Sequence, residues 1–282
     1  MNQPLDPALV RSLVESWLAE DLGRGDVTTR AVVPLDRFGR ARLEAREAGV
    51  IAGLDVAKAC FEVTSEGAIT WEAKVGDGQP VAAGDVLAFL EGPLAPVLAA
   101  ERTALNVLAR LSGVATLTRR YVDAVSGTGA RVVDTRKTTP GMRALQKYAV
   151  RAGGGSNHRF GLDDGVLIKD NHIVAAGGVA AAVRRALEVA PHGLRVEVEV
   201  TTINELDEAL AAGADSVLLD NMTPKTVALA VQRTGGRVPL EVSGGVTLDT
   251  IRDYADTGVD LISVGALTHS APTIDLALEV EQ

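Results

Sequence analysis

Residues 216–221 read Ser-Val-Leu-Leu-Asp-Asn, an apolar run that ends in two polar side chains. Similar runs rich in β-branched residues lie on both sides of it, and a stretch rich in Ala and Leu with helical spacing follows each one. From Glu199 to Gly265 the polar ends of the runs recur every 21 to 23 residues, the length of one strand, one loop and one helix. The sequence therefore predicts six strands, at residues 131–133, 166–168, 196–200, 216–219, 240–242 and 261–264.

Strands that alternate with helices predict a parallel sheet, because each helix carries the chain back to the start of the next strand. Right-handed crossovers curl such a sheet in one direction. Six units are fewer than the eight of a complete (β/α)₈ barrel. An open sheet and an incomplete barrel both fit this count, and we favour an incomplete α/β barrel.

Composition excludes several classes of protein. The chain has 282 residues with 28 Lys and Arg against 37 Asp and Glu, and a net charge of −9 disfavours a nucleic-acid partner. Cys60 is the single cysteine, which excludes an internal disulfide and fits a reducing cytoplasm. Residues 1–10 carry no signal-peptide pattern, and no apolar run approaches the ~18 residues of a membrane span. We expect a cytoplasmic enzyme with no membrane partner.

The region from residue 131 to residue 172 reverses the charge of the chain. It holds eight Lys and Arg against four Asp, although the whole protein is acidic. Arg136, Lys137 and Lys169 come directly after predicted strands, where a barrel builds its active site, so a cleft for an anion is favoured over a solvated basic face. Residues 153–155 are three glycines that precede His158 and Arg159, and these two side chains are candidate anion donors unless the glycines are only a flexible linker.

Two carboxylates and two glycine clusters end the later strands. Glu199 and Asp220 could hold Mg²⁺ carried by a polyphosphate, stabilise a developing positive charge, or form structural salt bridges. Glu197 shares a strand face with Glu199, so either could be the functional member. Backbone N–H groups at glycine-bearing strand ends bind phosphate in many barrels, although a tight turn needs glycine as well. The candidate phosphate residues are Ser243, Gly244 and Gly245, and Val264, Gly265 and Ala266.

Several blocks of sequence now point to one family. They are residues 20–29, ERTALN at 101–106, DTRKTTPG at 134–141, residues 155–159, IKDNH at 168–172, Glu-Val-Glu at 197–199 and Ser-Gly-Gly at 243–245. With these blocks in order, the chain closely resembles quinolinate phosphoribosyltransferases over essentially its whole length. The resemblance implies an N-terminal α/β sandwich at residues 1–112, joined by the tail 270–282, and an incomplete α/β barrel at 113–269.

The resemblance also implies a reaction. The enzyme would join quinolinate to 5-phosphoribosyl 1-pyrophosphate with Mg²⁺ and form nicotinate mononucleotide, CO₂ and pyrophosphate for NAD synthesis. It would act as a homodimer in which Arg102 reaches into the neighbouring subunit's site, and further assembly of dimers stays open.

Roles for individual residues follow from the same resemblance. The dicarboxylate would be bound by the cations of Arg102, Arg136, His158, Arg159 and Lys169, with Thr135 beside them. Lys137 would face pyrophosphate. Glu199 and Asp220 would stabilise an oxocarbenium-like centre, bind ribose hydroxyls or hold the metal, and the two glycine clusters would hold the 5′-phosphate. Lys137, Lys169, Glu199 and Asp220 are the predicted catalytic residues.

Three alternatives remain at this point. A relative with the same fold that acts in molybdenum uptake should retain less of the dicarboxylate pocket. A nucleotide decarboxylase should show Asp-x-Lys-x-x-Asp, whereas Lys169 is followed by Asp-Asn-His. A non-catalytic carrier would explain the hairpin pattern at residues 76–87 and leave the charged strand ends without a purpose.

Overall fold

The structure is a computed structural model, and it describes residues 4–34 and 36–281. The chain forms two compact units. The first consists of Met1–Arg119, Pro140–Gly154 and Ser270–Gln282, and the second of Arg120–Thr139 and Gly155–His269. The predicted boundary at residue 112 falls inside one continuous helix, Leu94–Ala124, so the chain offers no linker there. Residues 140–154 also lie in the first unit, although the prediction placed them in the barrel.

The first unit is built around an antiparallel sheet. Its elements are α1 (Pro7–Leu22), α2 (Val27–Val32), β1 (Phe38–Ala45), β2 (Gly49–Val50), α3 (Leu54–Thr64), β3 (Thr70–Ala73), β4 (Pro80–Val81), β5 (Val86–Pro93), most of α4 (Leu94–Ala124), α5 (Arg143–Ala152) and β12 (Leu276–Val280). Four of the strands pair in the order β12-β1-β5-β3, and α1 packs against α3. The chain's last strand therefore completes a sheet that begins near residue 38.

Helix starts in this unit follow from capping side chains. Asp6 accepts a hydrogen bond from the Ala8 N–H at 3.0 Å, and Pro7 occupies the first turn of α1, where its missing N–H has no cost. Asp26 caps α2 in the same way through the Thr29 N–H. The polar, glycine-punctuated sequence of residues 20–29 predicts a loop, and that prediction is wrong at both ends, where helices occupy residues 20–22 and 27–29.

The second unit contains the predicted parallel strands. Its elements are β6 (Arg131–Val133), β7 (Val166–Ile168), α6 (Asp170–Ala176), α7 (Val179–Val189), β8 (Val196–Val200), α8 (Ile203–Ala212), β9 (Ser216–Asp220), α9 (Pro224–Thr234), β10 (Leu240–Ser243), α10 (Ile251–Ala255), β11 (Leu261–Ser263) and α11 (Ala266–His269). The strands pair in the order β6-β11-β10-β9-β8-β7, and every pairing is parallel. All six predicted strands are confirmed.

The six-stranded sheet curls and stays open between β6 and β7. Glu197 of β8 and Glu241 of β10 belong to strands two positions apart, which lie almost 10 Å apart in a flat sheet. Carboxylate atoms of these residues nevertheless lie within 4.8 Å of each other, because both point into the concave side. At the open edge, an isolated bridge joins Val133 to Ser156. The fold agrees with the predicted incomplete barrel.

Helices cover the outside of this sheet and bury an apolar layer. Leu206, Leu219, Val227 and Leu240 are fully or almost fully buried. Helix α8 shows how local sequence fixes the register, because the Thr202 side chain caps its start in a capping box with Glu205. Among residues 4–34 and 36–281, no helix combines the length and the apolar character that crossing a bilayer requires.

Candidate active site

A cavity of about 650 Å³ opens at the carboxyl ends of the parallel strands. We call it the carboxyl-end cavity. Its lining comes from the end of every strand of the curled sheet and from the loop between α5 and β7. The lining residues are Thr135, Arg136, Lys137, His158, Arg159, Leu167, Lys169, Asp170, Glu199, Leu218, Asp220, Asn221, Glu241, Ser243, Gly244, Gly245 and Ser263.

A buried carboxylate holds the cationic wall of this cavity together. Asp134 directly follows β6 and has no solvent exposure. It accepts hydrogen bonds from the His158 N–H at 2.9 Å and from the Asn157 side-chain amide at 2.6 Å. This ties the loop that carries His158 and Arg159 to the strand end that carries Arg136 and Lys137.

Arg136 and Arg159 form a cationic pair whose guanidinium groups are only partly satisfied. Arg159 Nη1 donates to the Gly165 carbonyl at 2.9 Å. The Nε atoms of both arginines are buried and have no hydrogen-bond partner among the residues that the structure describes. Burial lowers the pKa of Arg159, and the nearby positive charge of Arg136 lowers it further. Like charges held together in this way favour an anion in the cavity.

His158 is already engaged on both ring nitrogens. Its Nδ1 accepts the Arg159 backbone N–H at 2.7 Å, and its Nε2 lies 3.1 Å from Glu197 Oε2. To donate to a substrate carboxylate, as predicted, His158 would have to break its hydrogen bond with Glu197.

The acidic side of the cavity is formed by Glu199 and Asp220. Lys169 Nζ lies 2.8 Å from Glu199 Oε2, while Asp220 accepts a hydrogen bond from the Asn221 side chain at 2.6 Å. Lys169 itself caps α6, where its N–H donates to His172 Nδ1 at 2.9 Å. Both carboxylates face the cavity. Lys169 can leave its ion pair with Glu199 and bind an incoming anion instead.

The Ser-Gly-Gly cluster at residues 243–245 lines the cavity. Its middle residue is glycine because no side chain fits there. Gly244 has φ of +94°, and a Cβ there would lie 2.2 Å from Asn221 Oδ1. Asn221 also has a left-handed backbone, with φ of 54°, and its N–H donates to the Ser243 carbonyl at 2.9 Å. The close approach of these two strand ends explains the glycine at position 244.

Most of the predicted site residues come together in this cavity. They are Thr135, Arg136, Lys137, His158, Arg159, Lys169, Glu199, Asp220, Ser243, Gly244 and Gly245. Val264, Gly265 and Ala266 are not among the lining residues, and a Cβ on Gly265 would lie 3.2 Å from Lys137 Cδ. Gly265 thus makes room for a cavity residue, and its predicted phosphate role stays a prediction.

Arg102 lies outside this set. It belongs to the first unit, its side chain is 66% exposed, and its nearest ion pair is a weak one with Glu101 at 3.9 Å. Its predicted role across a dimer interface stays a prediction.

Sequence reasoning missed several lining residues. Glu241 and Asn221 are the polar ones with the clearest signal, because Glu241 interrupts an apolar strand and Asn221 directly follows Asp220. Glu241 also lies two residues before Ser243, and period-two alternation puts both on one face. Glu197 and Glu199 both point inward, and of the two only Glu199 lines the carboxyl-end cavity, so the functional choice between them stays a prediction.

Comparison with known proteins agrees with this geometry. The model of the quinolinate phosphoribosyl transferase C-terminal domain matches residues 114–279, and the model of the N-terminal domain of the same family matches residues 26–112. The chain belongs to the quinolinate phosphoribosyltransferase family. As a member of this family it is a phosphoribosyltransferase of NAD biosynthesis.

Individual relatives extend over almost the whole chain. A nicotinate-nucleotide pyrophosphorylase (carboxylating) of Mycobacterium leprae is 46% identical over 275 residues, which cover 96% of each chain. A probable enzyme of the same name from Bacillus subtilis is 42% identical and covers 96% of this chain and 93% of its own. The solved nicotinate-nucleotide pyrophosphorylase of Francisella tularensis superposes with a TM-score of 0.93 at 41% identity, covering 100% and 99% of the two chains.

Proposed function

We propose that the chain transfers the phosphoribosyl group of 5-phosphoribosyl 1-pyrophosphate to quinolinate and forms nicotinate mononucleotide, CO₂ and pyrophosphate. One observation carries the proposal: Arg136 and Arg159 lie together in the carboxyl-end cavity, and their buried Nε atoms have no hydrogen-bond partner within residues 4–34 and 36–281. Quinolinate is a pyridine with two adjacent carboxylates, and guanidinium groups bind carboxylates with two parallel hydrogen bonds. Family membership supports the same substrate.

The first step forms a bond between the pyridine nitrogen and C1′ of the ribose, and the C1′–oxygen bond to pyrophosphate breaks. Positive charge develops at C1′, as in glycoside chemistry, and Glu199 and Asp220 are the carboxylates that can stabilise it. Lys137 and Lys169 face the same cavity and can neutralise the departing pyrophosphate. If Lys169 moved from Glu199 to pyrophosphate, it would neutralise the leaving group and at the same time free Glu199 to stabilise the positive charge at C1′.

The second step loses CO₂ from the carbon beside the ring nitrogen. The electron pair of the broken bond stays on that carbon, where the neighbouring cationic nitrogen stabilises it, and a proton then replaces the lost carboxylate. The protein supplies positioning and charge complementarity, and we expect no covalent ribosyl-enzyme. Cys60 is buried in the first unit, which fits the absence of thiol chemistry from this cavity.

We propose that Mg²⁺ enters with the pyrophosphate substrate. Two carboxylates on neighbouring strands, Glu199 of β8 and Asp220 of β9, offer the oxygen ligands that Mg²⁺ prefers. These residues would hold the ion, which would neutralise charge on the pyrophosphate.

We propose a homodimer in which Arg102 completes the site of the other subunit. The exposure of Arg102 and its absence from the cavity lining support this arrangement. On the same helix, Thr103 and Asn106 line a cavity of about 330 Å³ with Trp17, which offers a recess to a second copy. Whether dimers assemble further is a separate question.

Mixing two inactive variants tests the dimer. Arg102→Ala and Lys169→Ala proteins should each lose activity, and heterodimers should recover part of it because one of their two sites keeps both residues. The measurement is nicotinate mononucleotide formation after subunit exchange, with exchange verified by mass. No recovery in proven heterodimers would place Arg102 in its own subunit's site.

We also propose a cytoplasmic location. The single cysteine, Cys60, is buried and unpaired, which suits a reducing compartment.

The reaction itself is tested by following CO₂ and nicotinate mononucleotide from quinolinate, phosphoribosyl pyrophosphate and Mg²⁺. Nicotinate, which has one carboxylate, is the matched control substrate. Product from quinolinate and little from nicotinate supports the proposal, and equal rates with both would overturn the dicarboxylate assignment.

A further inference from the structure

Three ionisable side chains form a cluster at the floor of the carboxyl-end cavity. Glu197 of β8, Glu241 of β10 and His158 place their polar atoms within 4.8 Å of one another. Glu241 is 2% exposed and Glu197 is 8% exposed. The mechanism proposed above uses neither acid, although Glu241 lines the cavity in which the substrate would bind.

The hydrogen bonds of His158 fix the position of its proton. Because Nδ1 accepts the Arg159 N–H, the proton of a neutral imidazole resides on Nε2. That proton points to Glu197 Oε2 at 3.1 Å. The distance from Nε2 to Glu241 Oε2 is 3.6 Å, which is too long for a second hydrogen bond. The Nε2 proton of His158 is therefore donated to Glu197 and not to Glu241.

Only part of the Glu241 carboxylate has a donor, because the Ser263 hydroxyl lies within reach of one oxygen. Its Oε1 is buried and has no hydrogen-bond partner among the described residues. The Ser263 hydroxyl also lies 3.2 Å from the Val242 carbonyl, so its single hydrogen is shared between that carbonyl and the carboxylate. A buried carboxylate in this position is costly as an anion, whereas a protonated carboxyl has its own hydrogen to share.

We propose that Glu241 is a specificity-determining residue that must be a neutral acid for the dicarboxylate to bind. This inference rests on the proposed function, because it concerns the substrate of the same cavity. An ionised Glu241 would add a negative charge to a cavity that already holds Glu199 and Asp220, and it would repel quinolinate. With its proton in place, Glu241 leaves the field of Arg136 and Arg159 available to the substrate.

The surroundings of Glu241 support a proton at neutral pH. Burial raises its pKa to about 7, and the charge of Glu197 is the next largest cause. His158 and Ser263 lower the pKa, and Asp134 raises it. The other charged groups that share its two cavities are Arg131, Arg136, Lys137, Arg159, Asp164, Lys169, Asp170, Arg195, Glu199 and Asp220.

A metal ion is the competing occupant of this cluster. A histidine and two glutamates could serve as ligands, but ligation needs an unprotonated Nε2. The Arg159 N–H occupies Nδ1 and directs the proton to Nε2, so the observed hydrogen bonds favour an acid cluster.

The test compares wild-type protein with Glu241→Gln, a neutral isostere, from pH about 6.5 to about 8.5, where the carboxylates of quinolinate stay ionised. Only the protonated fraction of the wild type binds, so its KM for quinolinate should rise about tenfold between pH ~7 and ~8.5, while the KM of the variant stays flat. The ratio of the two KM values removes any ionisation of the substrates from the comparison. Glu208→Gln, an exposed position on α8, has the same charge change and should follow the wild-type curve.

Two further measurements keep the outcome clear. Infrared difference spectra on lowering the pH should show the carbonyl stretch of a protonated carboxyl in wild type and not in Glu241→Gln. A constant KM ratio, a missing band, or one equivalent of tightly bound metal lost in Glu241→Gln would each overturn the inference. Product absent from wild type at every pH would instead count against the proposed function, and the infrared band would still decide whether Glu241 holds the proton.

Discussion

The two ends of the curled sheet carry different cavities. The carboxyl-end cavity gathers the side chains that follow each strand. A smaller cavity of about 340 Å³, the amino-end cavity, is lined by residues at or just before strand starts, including Arg131, Arg195 and Ser216. Three side chains line both cavities: His158, Arg159 and Glu241.

The two ends differ in how strongly solvent screens the charges of their arginines. Arg131 and Arg195 at the amino end are exposed, so water and salt screen them. At the carboxyl end, Arg136 and Arg159 are half-buried, so solvent screens their charges less. An arginine at the carboxyl end should therefore affect the binding of an anionic substrate more than an arginine at the amino end. Variants at both ends can measure this difference.

The largest effect is expected for Arg159→Ala. It removes a charge-assisted contact of ~1.5–3 kcal/mol, so the KM for quinolinate should rise about 10- to 100-fold. Arg185→Ala, an exposed position on α7, is the matched control for charge. Steady-state kinetics decide, and a KM for Arg159→Ala equal to that of the control would remove the carboxyl-end cavity from substrate binding.

An intermediate effect is expected for Gly244→Ala. Its Cβ would displace Asn221, and a positive φ adds ~1–2 kcal/mol, so the KM for phosphoribosyl pyrophosphate should rise about tenfold. Gly245→Ala has a positive φ as well, +62°, but its Cβ meets no atom within 4 Å. Equal KM values in these two variants would show that the contact with Asn221 has no influence on the substrate.

The smallest effect is expected for Arg195→Ala at the amino-end cavity. Because the guanidinium group is exposed, both KM values should change by less than about twofold at moderate salt. Initial rates at low and moderate ionic strength provide the check. A change as large as that of Arg159→Ala would erase the distinction between the two ends.

The strands and the strand-end residues could be predicted, because β-branched runs and their polar ends keep a regular spacing in the sequence. Turn signals at Gly53 and Gly67 predict short strands throughout residues 41–92, and this prediction is wrong at helix α3. Leu54, Ala57 and Phe61 nevertheless repeat at helical spacing and are buried. A search for period 3.6 between those glycines finds this helix.

The cluster at the cavity floor could be predicted only in part. Period-two alternation puts Glu197 and Glu241 on the inner face, as it did for Glu199. The donor to each acid depends on which nitrogen of His158 meets the Arg159 N–H, and on a 3.6 Å distance instead of a 3.1 Å one. Such differences arise from packing in three dimensions, and no residue pattern encodes them.

The pairing of β12 with β1 sets an order of events during synthesis. Leu43 pairs with Leu278, so a ribosome makes the whole second unit before the strand that completes the first sheet becomes available. Until then one edge of β1 has unpaired backbone groups, which invite pairing with other chains. Rapid release from the ribosome, or a bound chaperone, would protect this edge until β12 is made.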